Sequence, residues 1–182
     1  MVGGGTSVEV AREMGIEAYG LDLHSGFNIL KKRIIEVGKP SDLVLSHPPY
    51  HNIVVYSGNV WGRGPPPDDL SRCASEDEFL DKLTVALKNQ RHATRAGGYY
   101  GAIIGDVRKN GVYSSYQADL IVRMPKKELQ AVLVKQQHNI ASNGRDYPLR
   151  LPRIMHEYLI LWQRQRRVTV ARPRGNFAGA EL

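Results

Sequence analysis

The chain has 182 residues, 42% of them hydrophobic and 24% charged, which suits one domain with a packed core and is too short for two. Lys and Arg outnumber Asp and Glu by 25 to 18, and a single cysteine, Cys73, excludes an intramolecular disulfide and any multi-cysteine zinc site. No apolar stretch approaches the roughly 20 residues that span a bilayer, and the opening MVGGGTS has neither the basic start nor the apolar core of a signal peptide. A reducing cytoplasm is therefore the expected setting, with no membrane partner.

In chain order, glycines 3–5 come first, and Thr6 or Ser7 can cap a helix running to Gly15. Residues 17–23 read as a strand ending near Asp22, and 27–37 are mixed in pattern. Residues 42–46, led by Asp42, have the length and branched content of a buried strand. A Gly/Pro-rich stretch follows. Ser75 with Glu78 three residues on makes a capping box, which predicts a helix to about Arg95, stopped by Gly97 and Gly98. Residues 99–107 are a strongly apolar strand, 113–129 are ambiguous, and 129–136 and 156–164 predict two closing strands. Strands alternating with helices imply an α/β fold, a mostly parallel doubly wound sheet with helices on both faces. The last two strands, joined without a helix, imply a C-terminal antiparallel hairpin. A glycine loop of this kind normally follows a strand, yet only Met1 and Val2 precede it. A first strand is thus expected to be missing, with Met1 an internal methionine or the strand lost, and the chain by itself is expected to be poorly soluble or partly unfolded.

The corner His47, Pro48, Pro49, Tyr50 ends the strand at 42–46. Each proline fixes φ and supplies no N–H, so the ladder must stop there and nearby carbonyls are left as acceptors beside a flat ring. By itself such a corner is a rigid turn with a packed tyrosine. Glycine loop, helix, strand and Asp22 form a second spacing, one that lets backbone approach a cofactor while a carboxylate takes ribose hydroxyls. Both features fall on the C-terminal edge of one sheet, where open α/β sheets bind ligands.

On these residues the chain resembles the S-adenosylmethionine-dependent amino-methyltransferases that act on DNA bases. Their cofactor motif, Phe-x-Gly-x-Gly-Thr, is matched by Met1-Val2-Gly3-Gly4-Gly5-Thr6, their second-strand acid by Asp22, and their (Asp/Asn/Ser)-Pro-Pro-(Tyr/Phe/Trp) motif by His47-Pro48-Pro49-Tyr50. The resemblance covers residues 1–163 and implies a Rossmann-like class I methyltransferase domain, followed by a basic tail, 164–182. It implies S-adenosylmethionine held by Gly3, Gly4, Gly5, Thr6 and Asp22, with Asn28 near the adenine. It also implies methylation of adenine N6 or cytosine N4 in DNA, with His47 and the Pro48 carbonyl accepting the amine protons and Tyr50 stacking on a flipped base. Two departures stand out: the absent first strand, and histidine where the family has Asp, Asn or Ser. A neutral imidazole keeps one acceptor nitrogen and can replace a carboxamide oxygen; an imidazolium cannot.

Five arginines and no acid between Arg164 and Arg174 suit a polyanion, so Arg164, Arg166 and Arg167 are candidate nucleic-acid contacts, as are Trp61, Arg108 and Lys109. Asp106, Lys135, His138 and Asn139 fall at strand ends on the same sheet edge, where a plain turn is the equal alternative. His138 and His156 lack any spacing that supports a metal, so none is expected. Target choice is left to loops near 51–74 and 107–118 or to another protein; the partners expected besides DNA are a second copy in a homodimer or a separate specificity protein. The rival readings are an N-methyltransferase for RNA or protein glutamine, which uses similar corners, and an inactive nucleic-acid-binding remnant.

Overall fold

In the computed structural model, which describes residues 4–58, 64, 66–136 and 151–166, the longest helix is the one the capping box predicts. Ser75 Oγ accepts from the Glu78 N–H (3.1 Å), the Glu78 carboxylate accepts from the Ala74 N–H (2.7 Å), and the helix runs Glu76–Ala93. Replacing Ser75 with alanine removes this cap and is expected to lower stability by about 1 kcal/mol, read as a shift in urea midpoint at unchanged slope.

The described elements are α1 (Thr6–Glu13), β1 (Ser41–Ser46), α2 (Glu76–Ala93), β2 (Thr94–Ile104), β3 (Val107–Lys109), β4 (Val112–Ser114), α3 (Tyr116–Arg123), β5 (Leu129–Gln136) and β6 (His156–Gln163). Among the described residues β1, β2, β6 and β5 form one sheet in that order, and β3 with β4 a small hairpin. β1 and β2 are parallel, connected across α2, while β2–β6 and β5–β6 are antiparallel. The closing antiparallel pair is as expected, but the sheet is mixed where a mostly parallel one is predicted.

The register explains the core. Tyr100 pairs with Trp162 and Ala102 with Ile160, so these fully buried side chains share one face. Phe79, Leu83 and Leu87, spaced four apart on α2, cover that face together with Tyr116 and Leu120 of α3. Leu43, Tyr99 and Leu133 point to the other face and are 52%, 40% and 51% exposed. Helices on both faces are expected from the sequence; among the described residues α2 and α3 pack on one, and α1 buries none of its residues. Nor is β1 a buried strand: it is the sheet's edge, with Leu43 and Leu45 partly in solvent.

Three other local readings change. Residues 17–23 form no strand, because no neighbouring strand offers them a ladder among the described residues. The cap of α1 is Gly5 at φ 92°, a conformation glycine adopts without strain, and Thr6 is the first helical residue. α2 ends at Ala93, before the two glycines: the Thr94 hydroxyl donates to the Gln90 carbonyl (2.9 Å) and its extended backbone begins β2 at once. Gly97, at φ 85°, instead turns the chain where the β1–β2 register shifts.

The segment between α1 and β1 is irregular but anchored. Phe27 and Ile34 bury against Ala93, and Asn89 of α2 accepts from the Ile34 N–H (3.0 Å) while donating to the Ile29 and Lys32 carbonyls (2.8 and 2.7 Å). This holds residues 27–36 against α2 and beside Val44 of β1. No helix among the described residues is long and apolar enough to cross a membrane.

Candidate active site

β1 ends at Ser46, and residues 47–50 leave the sheet as the two prolines require. Pro48 is fully buried while His47 stays exposed. Among the described residues, no backbone N–H outside the sheet donates to the Pro48 carbonyl. The next residue, His51, takes φ 51°, bonds through Nε2 to the Cys73 carbonyl (3.0 Å) and stacks on Phe79 with ring centroids 5.6 Å apart. The corner is therefore fixed at both ends, by β1 and by the start of α2.

The tyrosine of the corner lies over Gly105. A Cβ there would come within 2.6 Å of the Tyr50 ring, so only glycine leaves room for it. The Tyr50 hydroxyl donates to Glu157 Oε2 (2.5 Å), and His47 Nε2 lies 2.9 Å from the same hydroxyl and 3.9 Å from Glu157. Glu157, buried on β6, is also paired with Lys135 of β5, its cross-strand neighbour. Burial, followed by the hydrogen bond to Glu157, pushes the Tyr50 pKa far up, so the phenol stays protonated. The His47 side chain is only half exposed, at 53%, and this partial loss of solvent lowers its pKa; Glu157 opposes the shift and Lys135 adds to it, and the net effect leaves the imidazole neutral at neutral pH.

A cavity of about 1290 Å³ opens between this corner and the N-terminal segment. Its wall includes Gly4, Thr6, Asp22 and Asn28 from one side and Ser46, His47 and Pro49 from the other. Gly4, Thr6 and Asp22 of the glycine-loop spacing thus share one space with His47 and Pro49 of the corner, while Pro48 and Tyr50 are not among its lining residues. Gly5 caps α1 beside it; Gly3 lies outside the described residues, and no atom stands within 4 Å of a Cβ built on Gly4 or Gly5. Asp22 sits in a turn and not at a strand end, its carboxylate accepting from the His24 N–H (2.9 Å). Asn28 donates to Asp68 Oδ2 (2.7 Å) and accepts from the Leu30 N–H (3.0 Å), closing the cavity wall. Asp69, which also lines the cavity, gathers the Ser57 hydroxyl and the Ser71 N–H and hydroxyl and so fixes the loop at residues 57–71.

Two residues of this cavity carry no motif signal. Ser46 and Gln90 are buried, yet Ser46 Oγ and both carboxamide atoms of Gln90 lack hydrogen-bond partners. A serine closing an apolar strand and a glutamine in a helix both read as ordinary surface residues. Glu157, the second residue of an apolar strand, carries no motif signal either.

Several other sequence candidates have structural work. Asp106 accepts from the Tyr113 hydroxyl (2.6 Å), the Ser115 hydroxyl (3.3 Å) and the Gln117 N–H (3.3 Å), tying the β3–β4 hairpin to α3. Arg108 donates to the Pro152 carbonyl (2.5 Å) with its guanidinium 5.4 Å from the Tyr113 ring centre. Lys109 ends β3 and is exposed. Arg164 donates to the His92 carbonyl (3.0 Å) and pairs through its backbone with Gly97 and Gly98, so it is part of the folded sheet end; Arg166 lies beside Gly97. His156 meets the Tyr158 hydroxyl through Nε2 (2.8 Å). Trp61, His138, Asn139 and Arg167 lie outside the described residues.

No family model matches this chain. No curated protein matches it. Among solved structures, TTHA0409 of Thermus thermophilus, which bears the name of a DNA modification methylase, is similar to this chain at 18% identity and a TM-score of 0.47, over 72% of the chain. Its complex with S-adenosyl-L-methionine gives the same identity and TM-score. The chain spans about half the length of these structures, 49% to 52% of each.

Proposed function

We propose that the chain binds S-adenosylmethionine in the cavity beside β1 and methylates an exocyclic amine of DNA, adenine N6 or cytosine N4. The observation that carries this reading is the one cavity lined both by Gly4, Thr6 and Asp22 and by His47 and Pro49. Its volume lies somewhat above the usual range for small-ligand sites, which leaves room for a target base beside a cofactor. The lining fits such a ligand. Asp22 supplies a carboxylate for ribose hydroxyls, the open glycine turn admits an amino-acid moiety, and the orphan Ser46 hydroxyl is a buried polar atom that a ligand or water would satisfy.

S-adenosylmethionine, held by Gly4, Thr6 and Asp22, would supply an electrophilic methyl that passes from sulfur, which keeps the bonding pair, to the amine nitrogen, whose surplus proton would leave to solvent. An exocyclic amine is a poor nucleophile because its lone pair is delocalised into the ring. His47 and the Pro48 carbonyl, as acceptors for its two protons, favour a pyramidal nitrogen with an available lone pair. The two prolines keep these acceptors in place without reorganisation. Tyr50 offers its ring to the base while its hydroxyl is held by Glu157. The exposed Lys109, Val112 and Tyr113 of the hairpin provide a cation and apolar surface for the polynucleotide. DNA, RNA and glutamine-bearing protein, each incubated with chain and cofactor, then digested and assayed for methylated products, test the assignment. N6-methyladenine or N4-methylcytosine from DNA is the expected result; methyl groups only on RNA or protein would replace it.

Asp22→Ala is expected to weaken S-adenosylmethionine binding by about 1.5–3 kcal/mol, the scale of a hydrogen bond to a charged group. Because Asp22 also holds the turn at residues 22–26, calorimetric affinity is read beside thermal stability. Unchanged affinity removes Asp22 from the site.

A further inference from the structure

The His47, Tyr50, Glu157 and Lys135 side chains allow one consistent placement of protons. Glu157, paired with Lys135, is a carboxylate and can only accept. Its Oε2 is 2.5 Å from the Tyr50 hydroxyl, so the single phenolic proton points at Glu157. Burial keeps that proton on the phenol. The Tyr50 oxygen then has only lone pairs to offer His47 Nε2 at 2.9 Å, and a contact of that length between two lone pairs would be repulsive. Nε2 must therefore carry the imidazole proton, and in a neutral ring the lone pair sits on Nδ1.

We propose that Glu157 is a positioning residue that acts through the Tyr50 hydroxyl to fix His47 as the Nε2–H tautomer, leaving Nδ1 as the acceptor for the target amine. The inference rests on the reading of His47 as that acceptor. Without Glu157 the Tyr50 hydroxyl could turn and donate to Nε2. The proton would then move to Nδ1, and the acceptor would be lost from that nitrogen. Glu157 thus does at a distance what the fixed oxygen of a carboxamide would do without help. It lies 107 positions from Tyr50, and only the pairing of β6 with β2 and β5 brings it under the corner.

The test is nitrogen NMR of the 15N-imidazole-labelled chain at neutral pH, with the His47 signal identified by its loss in His47→Asn. The parent is expected to show a protonated Nε2 and a bare Nδ1. Glu157→Leu should convert His47 largely to the Nδ1–H form, and Tyr50→Phe should give a mixture of both. Glu157→Gln retains an acceptor oxygen and should restore the parent pattern. A parent His47 protonated on Nδ1, or a Glu157→Leu spectrum identical to the parent's, overturns the proposal. Should Glu157→Leu not fold, the parent spectrum and Tyr50→Phe still decide it. The measurement needs neither cofactor nor DNA, so an expected spectrum without methylation would count against the methyltransferase reading while the relay stands.

Discussion

Replacing His47 with alanine is expected to slow methyl transfer by about 10²–10³-fold, the usual cost of deleting a preorganised hydrogen-bond partner of the reacting group. The residue is at the surface of the cavity, 2.9 Å from Tyr50, and packs nothing that folding requires, so stability should hold while the rate falls. The pH dependence gives a second signature. Imidazolium has donors only and would repel a sulfonium, so activity should decline as the ring protonates. Burial has lowered the His47 pKa from its ordinary 6.5, and the acid limb of the rate profile should accordingly fall below that pH. Glu157 raises this pKa and Lys135 lowers it, so Lys135→Met should move the limb to higher pH. His47→Asn has no titrating group and should flatten the limb while keeping activity. An alanine variant as fast as the parent would make His47 a structural residue.

The parts of this site that the sequence exposes are those whose chemistry is local. Two successive prolines end a strand wherever they occur, and a serine three residues before a glutamate caps a helix without help from the rest of the chain. The corner and α2 are legible for that reason. Residues 17–23 have strand composition, but a strand exists only when a neighbour completes its hydrogen bonds, and the described sheet ends at β1. Glu157 fails to announce itself for a related reason. A glutamate next to a histidine at the start of an apolar run reads as a solvated strand end. Its burial depends on Lys135 across one strand pair and on Tyr50 arriving over Gly105 from another element. Gly105 is a similar case: its need for no side chain is set by a ring 55 positions earlier. Asp22 is half legible, since the acid is present beside the cavity but holds a turn in place of ending a strand.

Trp162→Ala should be the most destabilising single change, at about 3–5 kcal/mol, the range for removing a buried aromatic and leaving its cavity. Trp162 is fully buried and stacks on its cross-strand partner Tyr100, with ring centroids 5.6 Å apart and planes 12° from parallel. The Tyr100 hydroxyl in turn donates to Glu128 (2.7 Å), which receives both guanidinium contacts of Arg91 (2.7 and 2.6 Å). Losing the indole therefore opens a void beside a buried charged network that has little freedom to close it. Trp162→Phe should cost much less. The indole Nε1 is buried without a partner, and phenylalanine removes that orphan donor, recovering part of the roughly 1–3 kcal/mol such a group costs. The two variants thus separate volume from polarity at one position, by urea unfolding followed through circular dichroism. β6 also carries Glu157, so the alanine variant, if it folds, should loosen the strand that holds the Tyr50 hydroxyl and lower methylation as well as stability. Equal unfolding free energies for Trp162→Ala and Trp162→Phe would mean that packing around the indole contributes little and that this account of the core is wrong.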